Sequence, residues 1–306
     1  MLATNKELLS VATTEGYAVG AFNIQNLETL LAVVEASTEE MSPVIVAATP
    51  STIRYAGVEY LAGIMKTAAE SVPIPMSLHL DHGKNMETVS KCIDAGFTSV
   101  MIDGSQLSFE GNISLTKQVV DSAHSKGVSV EGELGRLAGV EEATVEEKEA
   151  VLTDPLAAEE FVKRTDVDAL AVALGTSHGA YKFKGEPRLD FERLKTIRRK
   201  THIPLVLHGA SGVPSWVIEK ATKYGAELEG ARGIPDKHVK KAVSLGISKI
   251  NIDTDLRLAF TGSIRELLAG SPKEFDPRKI LGSAKTAMKK VITSKMRLFG
   301  SSAKAL

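Results

Sequence analysis

Cysteine is nearly absent from this chain. Cys92 is the only one among 306 residues. No disulfide can form within the chain, which fits a reducing cytoplasm. Net charge is nearly absent too: 37 basic side chains oppose 38 acidic ones, leaving −1 at pH 7. That balance gives no sign of a surface for nucleic acid or for an anionic membrane. Long apolar runs are missing, and none approaches the roughly 20 residues a membrane-spanning helix needs. The start, MLATNKELLSVATTEG, carries charges and a helical period but no apolar h-region, so no signal peptide is expected. No low-complexity segment or Pro/Gly/Ser linker divides the chain, so residues 1–306 are expected to form one domain. With 43% hydrophobic and 25% charged residues, the composition is that of a globular enzyme with a sizeable core.

What the chain does have is eight short apolar runs in regular succession. They are AVGAFNI (18–24), PVIVAAT (43–49), PMSLHLDH (75–82), SVMIDGS (99–105), VSVEGELG (128–135), ALAVALGTSHG (169–179), PLVLHGASG (204–212) and SKINIDTD (248–255). Most are continuously apolar, as parallel strands covered on both faces are. Segments with helical spacing lie between them, for example from Leu27, from Thr88 to Ala95 before Gly96, and from Ile113 to Ser125 before Gly127. Strand and helix alternating eight times predict an α/β fold, a (β/α)8 TIM barrel. Residues 257–306 exceed the minimal barrel and predict extra C-terminal helices. Lys285, Lys289, Lys290, Lys295 and Arg297 in this tail read as a solvated basic face. Residues 136–168 are long for one βα unit, and their glutamates suit either an acidic surface loop or an active-site lid.

Barrel enzymes carry their chemistry at the C-terminal ends of the strands. Here those ends are polar: Asn23 and Asn26, Thr49 and Ser51, Asp81 and His82, Asp103 and Ser105, Glu131 and Glu133, His178, His208, and Asn251, Asp253 and Thr254. A lone histidine on an apolar strand is usually a satisfied core residue. Three of them at equivalent ends of one closed sheet, His82, His178 and His208, converge on one point. Three neutral imidazoles there make a zinc site with an open position for substrate. Asp81, beside His82 but expected to point to another face, reads as an acid/base or as a partner that orients an imidazole. The small, hydroxyl-bearing turns Gly209-Ala210-Ser211 and Asn251-Ile252-Asp253-Thr254 follow strands seven and eight, where barrels commonly bind phosphate. Gly179 lets backbone approach a ligand.

The segments LHLDHG, SVMIDGS, VEGELGRLAGVEE, GTSHGAYKFKG, PLVLHGASGVP and KINIDTDLRLAF resemble the motifs of class II, metal-dependent fructose-1,6-bisphosphate aldolases, over essentially the whole chain. The resemblance implies a zinc barrel that cleaves a sugar bisphosphate reversibly to dihydroxyacetone phosphate and glyceraldehyde 3-phosphate. It makes His82, His178 and His208 the zinc ligands and Asp81 the acid/base. Glu141, or its neighbour Glu142, becomes the loop carboxylate that exchanges the proton at the carbon nucleophile. Asp103 and Glu133 match a second metal position. Asn23, Thr49, Gly179, Lys182, Gly209, Ala210, Ser211, Asn251, Ile252, Asp253 and Thr254 match substrate-binding positions, and backbone near the phosphate is expected to seat a monovalent cation, Na+ or K+. Arg278, in FDPRK, matches an arginine reaching the other phosphate from a neighbouring subunit, which implies a homo-oligomer, dimer or tetramer. The segment AATPSTIRYAG departs from the Ser-Glu-Gly turn of fructose-specific members, and Gln106 stands where relatives often have His. Thr-Pro there and AFNIQNLETL look like tagatose-bisphosphate aldolases, whereas NIDTDLR and the insertion AELEGARGIPDKH look like the fructose enzymes. Tagatose 1,6-bisphosphate is therefore an alternative substrate, and a non-catalytic phosphosugar-binding barrel is the alternative from another class.

Overall fold

The computed structural model describes residues 1–136, 138–139, 151–178, 189–228 and 233–305. Eight parallel strands close into a barrel in the order β1-β10-β9-β7-β5-β4-β3-β2. In chain order the strands are β1 (Val19–Asn23), β2 (Val44–Ala48), β3 (Met76–Gly83), β4 (Ser99–Ile102), β5 (Ser129–Leu134), β6 (Ala138–Gly139), β7 (Ala169–Val172), β8 (Ser177–His178), β9 (Leu205–Leu207) and β10 (Ile247–Ile252). The pair β6 and β8 forms a separate parallel ladder outside the barrel. The helices are α1 (Asn5–Glu15), α2 (Leu27–Glu39), α3 (Pro50–Ala56), α4 (Val58–Ser71), α5 (Met86–Ala95), α6 (Phe109–His124), α7 (Pro155–Thr165), α8 (Phe191–Thr201), α9 (Ser215–Lys223), α10 (Asp236–Ser244), α11 (Thr254–Gly270) and α12 (Pro277–Phe299). The fold is a (β/α)8 barrel with extra C-terminal helices. No helix among the described residues is long and apolar enough to cross a membrane.

Local signals start and stop these elements where the sequence places them. Asn26 caps α2 by accepting from the Thr29 amide, and Asn85 caps α5 by accepting from the Thr88 amide. Gly96 ends α5 in the left-handed conformation. The outward strand faces and inward helix faces share one large apolar core that includes Phe22, Val46, Leu78, Leu80, Val100, Leu170, Leu207 and Ile250. A second cluster fills the lower barrel with Val19, Ala21, Ile45, Met101, Ala169, Ala171 and Val206. Helix α1 plugs that end with Leu8, Leu9 and Ala12, so the opposite, C-terminal mouth is the one left for chemistry.

Two expectations change. The run 169–179 is not one strand. β7 stops at Val172, Gly175 turns at φ 99°, and His178 belongs to β8. A glycine that adopts this φ without strain ends the ladder and carries the chain out of the barrel wall. The tail is a solvated basic face only in part, with Lys290 and Arg297 exposed. Lys285, Lys289 and Arg297 pair with Glu35, Glu39 and Glu40 on or just after α2, and Lys295 is buried.

Candidate active site

Strand β3 builds the centre of the site by breaking its own alternation. Ser77, His79 and Asp81 share one face, as residues two apart in a strand do, and that face looks into the barrel. His82 would then point outward. Instead it takes a left-handed backbone, φ 53°, and the register with β4 shifts between Leu80 and Gly83. Asp81 and His82 consequently face the same interior point, with Asp81 Oδ1 3.9 Å from His82 Nε2. The expectation that Asp81 points to another face fails for this reason. Such a conformation costs about 1–3 kcal/mol and persists where the surroundings over-determine it. Gly83 is part of that constraint, since a Cβ there would stand 2.6 Å from the Met101 carbonyl oxygen.

His208, directly after β9, meets His82. Its Nδ1 lies 2.7 Å from His82 Nε2, and the rings are edge-on, 4.5 Å apart at 87°. His208 Nε2 donates to Glu131 Oε1 at 2.8 Å, which leaves Nδ1 as the nitrogen turned towards His82. His82 Nδ1 lies 3.6 Å from both Asp103 and Glu133. Two overlapping donor groups result, Asp81–His82–His208 and His82–Asp103–Glu133, each with its donor atoms within 4.8 Å of one another and every residue buried. Imidazoles and carboxylates converging this closely suit a divalent transition metal. Burial would raise the Asp81 carboxyl, but the His82 and His208 rings and Lys249 outweigh it and hold it well below the usual range.

A charged layer underneath supports the donors. Lys249 on β10 is fully buried; its Nζ donates to Glu131 Oε2 at 2.6 Å and to His79 Nε2 at 3.1 Å. Burial, then the Lys249 charge, lower His79 to about 3, so it stays neutral and can accept that bond. Its Nδ1 faces Ser99 Oγ at 3.0 Å. Burial pushes Glu131 up, but Lys249 and His208 outweigh it and bring the carboxyl down to about 2. Sequence reasoning placed Glu131 at a strand end without a role and passed over His79 and Lys249. Their signal is alternation: His79 is two residues from Asp81, and Lys249 two from Asn251.

The remaining predicted residues are placed unevenly. Asn23 Nδ2 donates to Asp81 Oδ2 at 2.8 Å and Asn251 Nδ2 to Asp81 Oδ1 at 2.9 Å, so both amides hold the carboxylate. Thr49 is buried and caps α3. Gly209 turns at φ 61°, and Ala210 and Ser211 are buried beside it. Ile252 places its side chain in the apolar core, leaving only backbone for a ligand. Asp253 is the N-cap residue of α11 and Thr254 its first residue. Burial raises the Asp253 carboxyl to about 6 against the opposing pull of Arg257, with Asp81 adding to the rise. Arg257 and Gln25 both donate to Asp253 Oδ1 at 2.9 Å. They line a 430 Å³ cavity with Ser51, Thr52 and Thr261, and sequence reasoning named neither of the two. Arg278 is 89% exposed at the start of α12 and pairs with Asp276. Glu141, Glu142, Gly179 and Lys182 lie outside the described residues, as does the side chain of His178.

Fold and donor set together define a class: a (β/α)8 barrel whose C-terminal mouth gathers buried imidazoles and carboxylates that could hold a divalent metal. The sequence pattern of the family described as "Fructose-bisphosphate aldolase class-II" matches residues 3–227 and 228–304. The fructose-bisphosphate aldolase of Thermus caldophilus is 52% identical over 306 residues, covering 100% of both chains. That of Helicobacter pylori strain ATCC 700392 / 26695 is 49% identical, covering 99% of this chain and 100% of the other. Among solved structures, the YdjI aldolase from Escherichia coli K12 superposes with a TM-score of 0.80 at 34% identity over 100% of both chains. This chain belongs to the class II fructose-bisphosphate aldolase family.

Proposed function

We propose that the protein is a zinc-dependent lyase that reversibly cleaves fructose 1,6-bisphosphate to dihydroxyacetone phosphate and glyceraldehyde 3-phosphate. The observation that carries the reading is Asp81, an ionised carboxylate gripped by two amides beside two converging imidazoles. His82, His178 and His208 hold the zinc, and Asp103 and Glu133 offer a second divalent position next to His82. Bound zinc supplies Lewis acidity, drawing electron density from the substrate carbonyl and favouring developing negative charge.

Asp81 takes the proton from the C4 hydroxyl as the C3–C4 bond breaks. C4 leaves as the aldehyde, and the electron pair stays on C3 of the dihydroxyacetone phosphate half. Glu141 then delivers a proton to that carbon. Asn23 and Asn251 fix the carboxylate plane, so the base is oriented before substrate arrives. Backbone and hydroxyl donors of Gly179, Gly209, Ala210, Ser211 and Asn251 to Thr254 receive one phosphate, with Lys182 and Thr49 nearby and a monovalent cation, Na+ or K+, beside it. Arg278 receives the other phosphate from a partner subunit, in a homodimer or homotetramer working in the cytoplasm.

The test is cleavage of fructose 1,6-bisphosphate by the purified protein before chelation, after chelation, and after zinc is returned. Loss and recovery of turnover are expected. Full turnover in a verified metal-free protein overturns the zinc reading, and no turnover in the zinc-loaded protein overturns the activity.

A further inference from the structure

We infer that Lys295 is a positioning residue that ties together the two turns assigned above to phosphate, Gly209–Ser211 after β9 and Asn251–Thr254 after β10; the inference rests on that reading of the site. Lys295 lies near the C-terminal end of α12 with its side chain 3% exposed. Its Nζ donates to the Gly212 carbonyl at 2.9 Å and stands 2.9 Å from Asp255 Oδ2. Gly212 is the residue immediately after Ser211, and Asp255 the residue immediately after Thr254. One ammonium therefore holds the next residue of the chain beyond each turn.

The arrangement leaves little freedom. Asp255 is fully buried, and its carboxylate has no hydrogen-bond partner among the described residues, so Lys295 is its compensating charge. An uncompensated buried charge is strongly destabilising, so the two side chains stay together. Asp255 sits in the first turn of α11, where helix amides favour a carboxylate. Gly212 is closed in from the other side, since a Cβ there would meet the Ile234 carbonyl oxygen at 2.4 Å. A lysine suits the junction because one compact head reaches a carbonyl and a carboxylate at once. Donors for a phosphate dianion must hold their spacing within about 0.5 Å. The polar contacts of Lys295 fall on the residue after each turn and not on the turns themselves, so it acts through them.

The test uses the full chain, metal-loaded, with Lys295→Met and with Lys295→Met/Asp255→Asn, each assayed well below its thermal midpoint. Inorganic phosphate is titrated by calorimetry, and KM and kcat are measured with fructose 1,6-bisphosphate. The single variant is expected to lose thermal stability and the double variant to regain most of it. Both are expected to bind phosphate about tenfold or more weakly, the size of roughly one lost hydrogen bond to a charged group. KM rises by a similar factor while kcat changes little. A double variant with a recovered midpoint and wild-type phosphate affinity and KM overturns the inference and makes Lys295 a packing residue only. Phosphate binding needs no turnover, so a wild-type protein that binds phosphate without cleaving the sugar counts against the activity and not against the tie.

Discussion

Glu131 is bound on both of its oxygens, to His208 through one at 2.8 Å and to Lys249 through the other at 2.6 Å. The first bond fixes which nitrogen of His208 carries the proton, and the second keeps the carboxylate charged in a fully buried setting. The orientation of the His208 ring at the mouth is thus set one layer below it.

Glu131→Gln keeps the size of the side chain and removes its charge. The His208 ring loses a charged acceptor and can rotate or change tautomer. Zinc affinity is expected to fall about 10- to 100-fold, the usual effect of losing such a partner. Competition with a chelator of known affinity measures it, and an unchanged dissociation constant contradicts the role given to Glu131.

Asp81→Ala is expected to retain zinc on His82, His178 and His208 and to lose most of kcat. A general base contributes about 10²- to 10⁴-fold. Metal analysis and steady-state cleavage on the same preparation check both halves. A near-wild-type rate removes Asp81 from the mechanism.

Gly83→Ala tests the turn that brings Asp81 and His82 together. The new methyl would stand 2.6 Å from a backbone oxygen, which cannot move aside as a side chain can. A loss of about 1–3 kcal/mol is expected, as for other overpacked sites. Chemical unfolding reads the stability, and an unshifted midpoint with full activity would mean the turn tolerates more than its geometry implies.

Asp168 predicts an acid-sensitive seam at the closed end of the barrel. It accepts from Lys6 on α1, His124 on α6 and the Val130 amide on β5. Burial raises its carboxyl, but Lys6, the Val130 amide and His124 outweigh that and lower it. A carboxyl lowered in the folded state adds stability that is complete above its unfolded value, about 3.9. That stability is lost as pH falls through the folded value. Asp168→Asn should therefore be clearly less stable than wild type at pH 7, with the gap narrowing below pH 4. Urea midpoints across this range decide it, and a constant gap refutes the linkage.

Fructose 1,6-bisphosphate is expected to give a higher kcat/KM than its tagatose epimer, because discrimination depends only on the two transition states. The reverse order would assign the chain to the other sugar.

The barrel is legible in the sequence because every wall strand is an apolar run bounded by polar or glycine-rich turns. His82, His208, Asp81, Asp103 and Glu133 are legible for the same reason: each ends such a run. What escapes the sequence is backbone conformation and depth. Nothing in Asp-His-Gly announces the left-handed histidine that turns two neighbours to one side. Lys249 and His79 hide inside strands that read as core, although their two-residue spacing from Asn251 and Asp81 marks the inward face. Lys295 disappears into a basic tail, yet it falls on the stripe of Met288, Val291, Ile292, Met296 and Phe299 that α12 buries.

The position of Lys295 also sets an order of events during synthesis. A chain made from its N-terminus displays every barrel strand before α12 exists. The strand that closes the wall, β10, pairs with β1 some 230 residues earlier, a long-range step of the kind that slows folding. Even then the two turns remain untied until the last helix docks. A nascent chain halted before residue 295 would carry the imidazoles and the base but not the finished mouth.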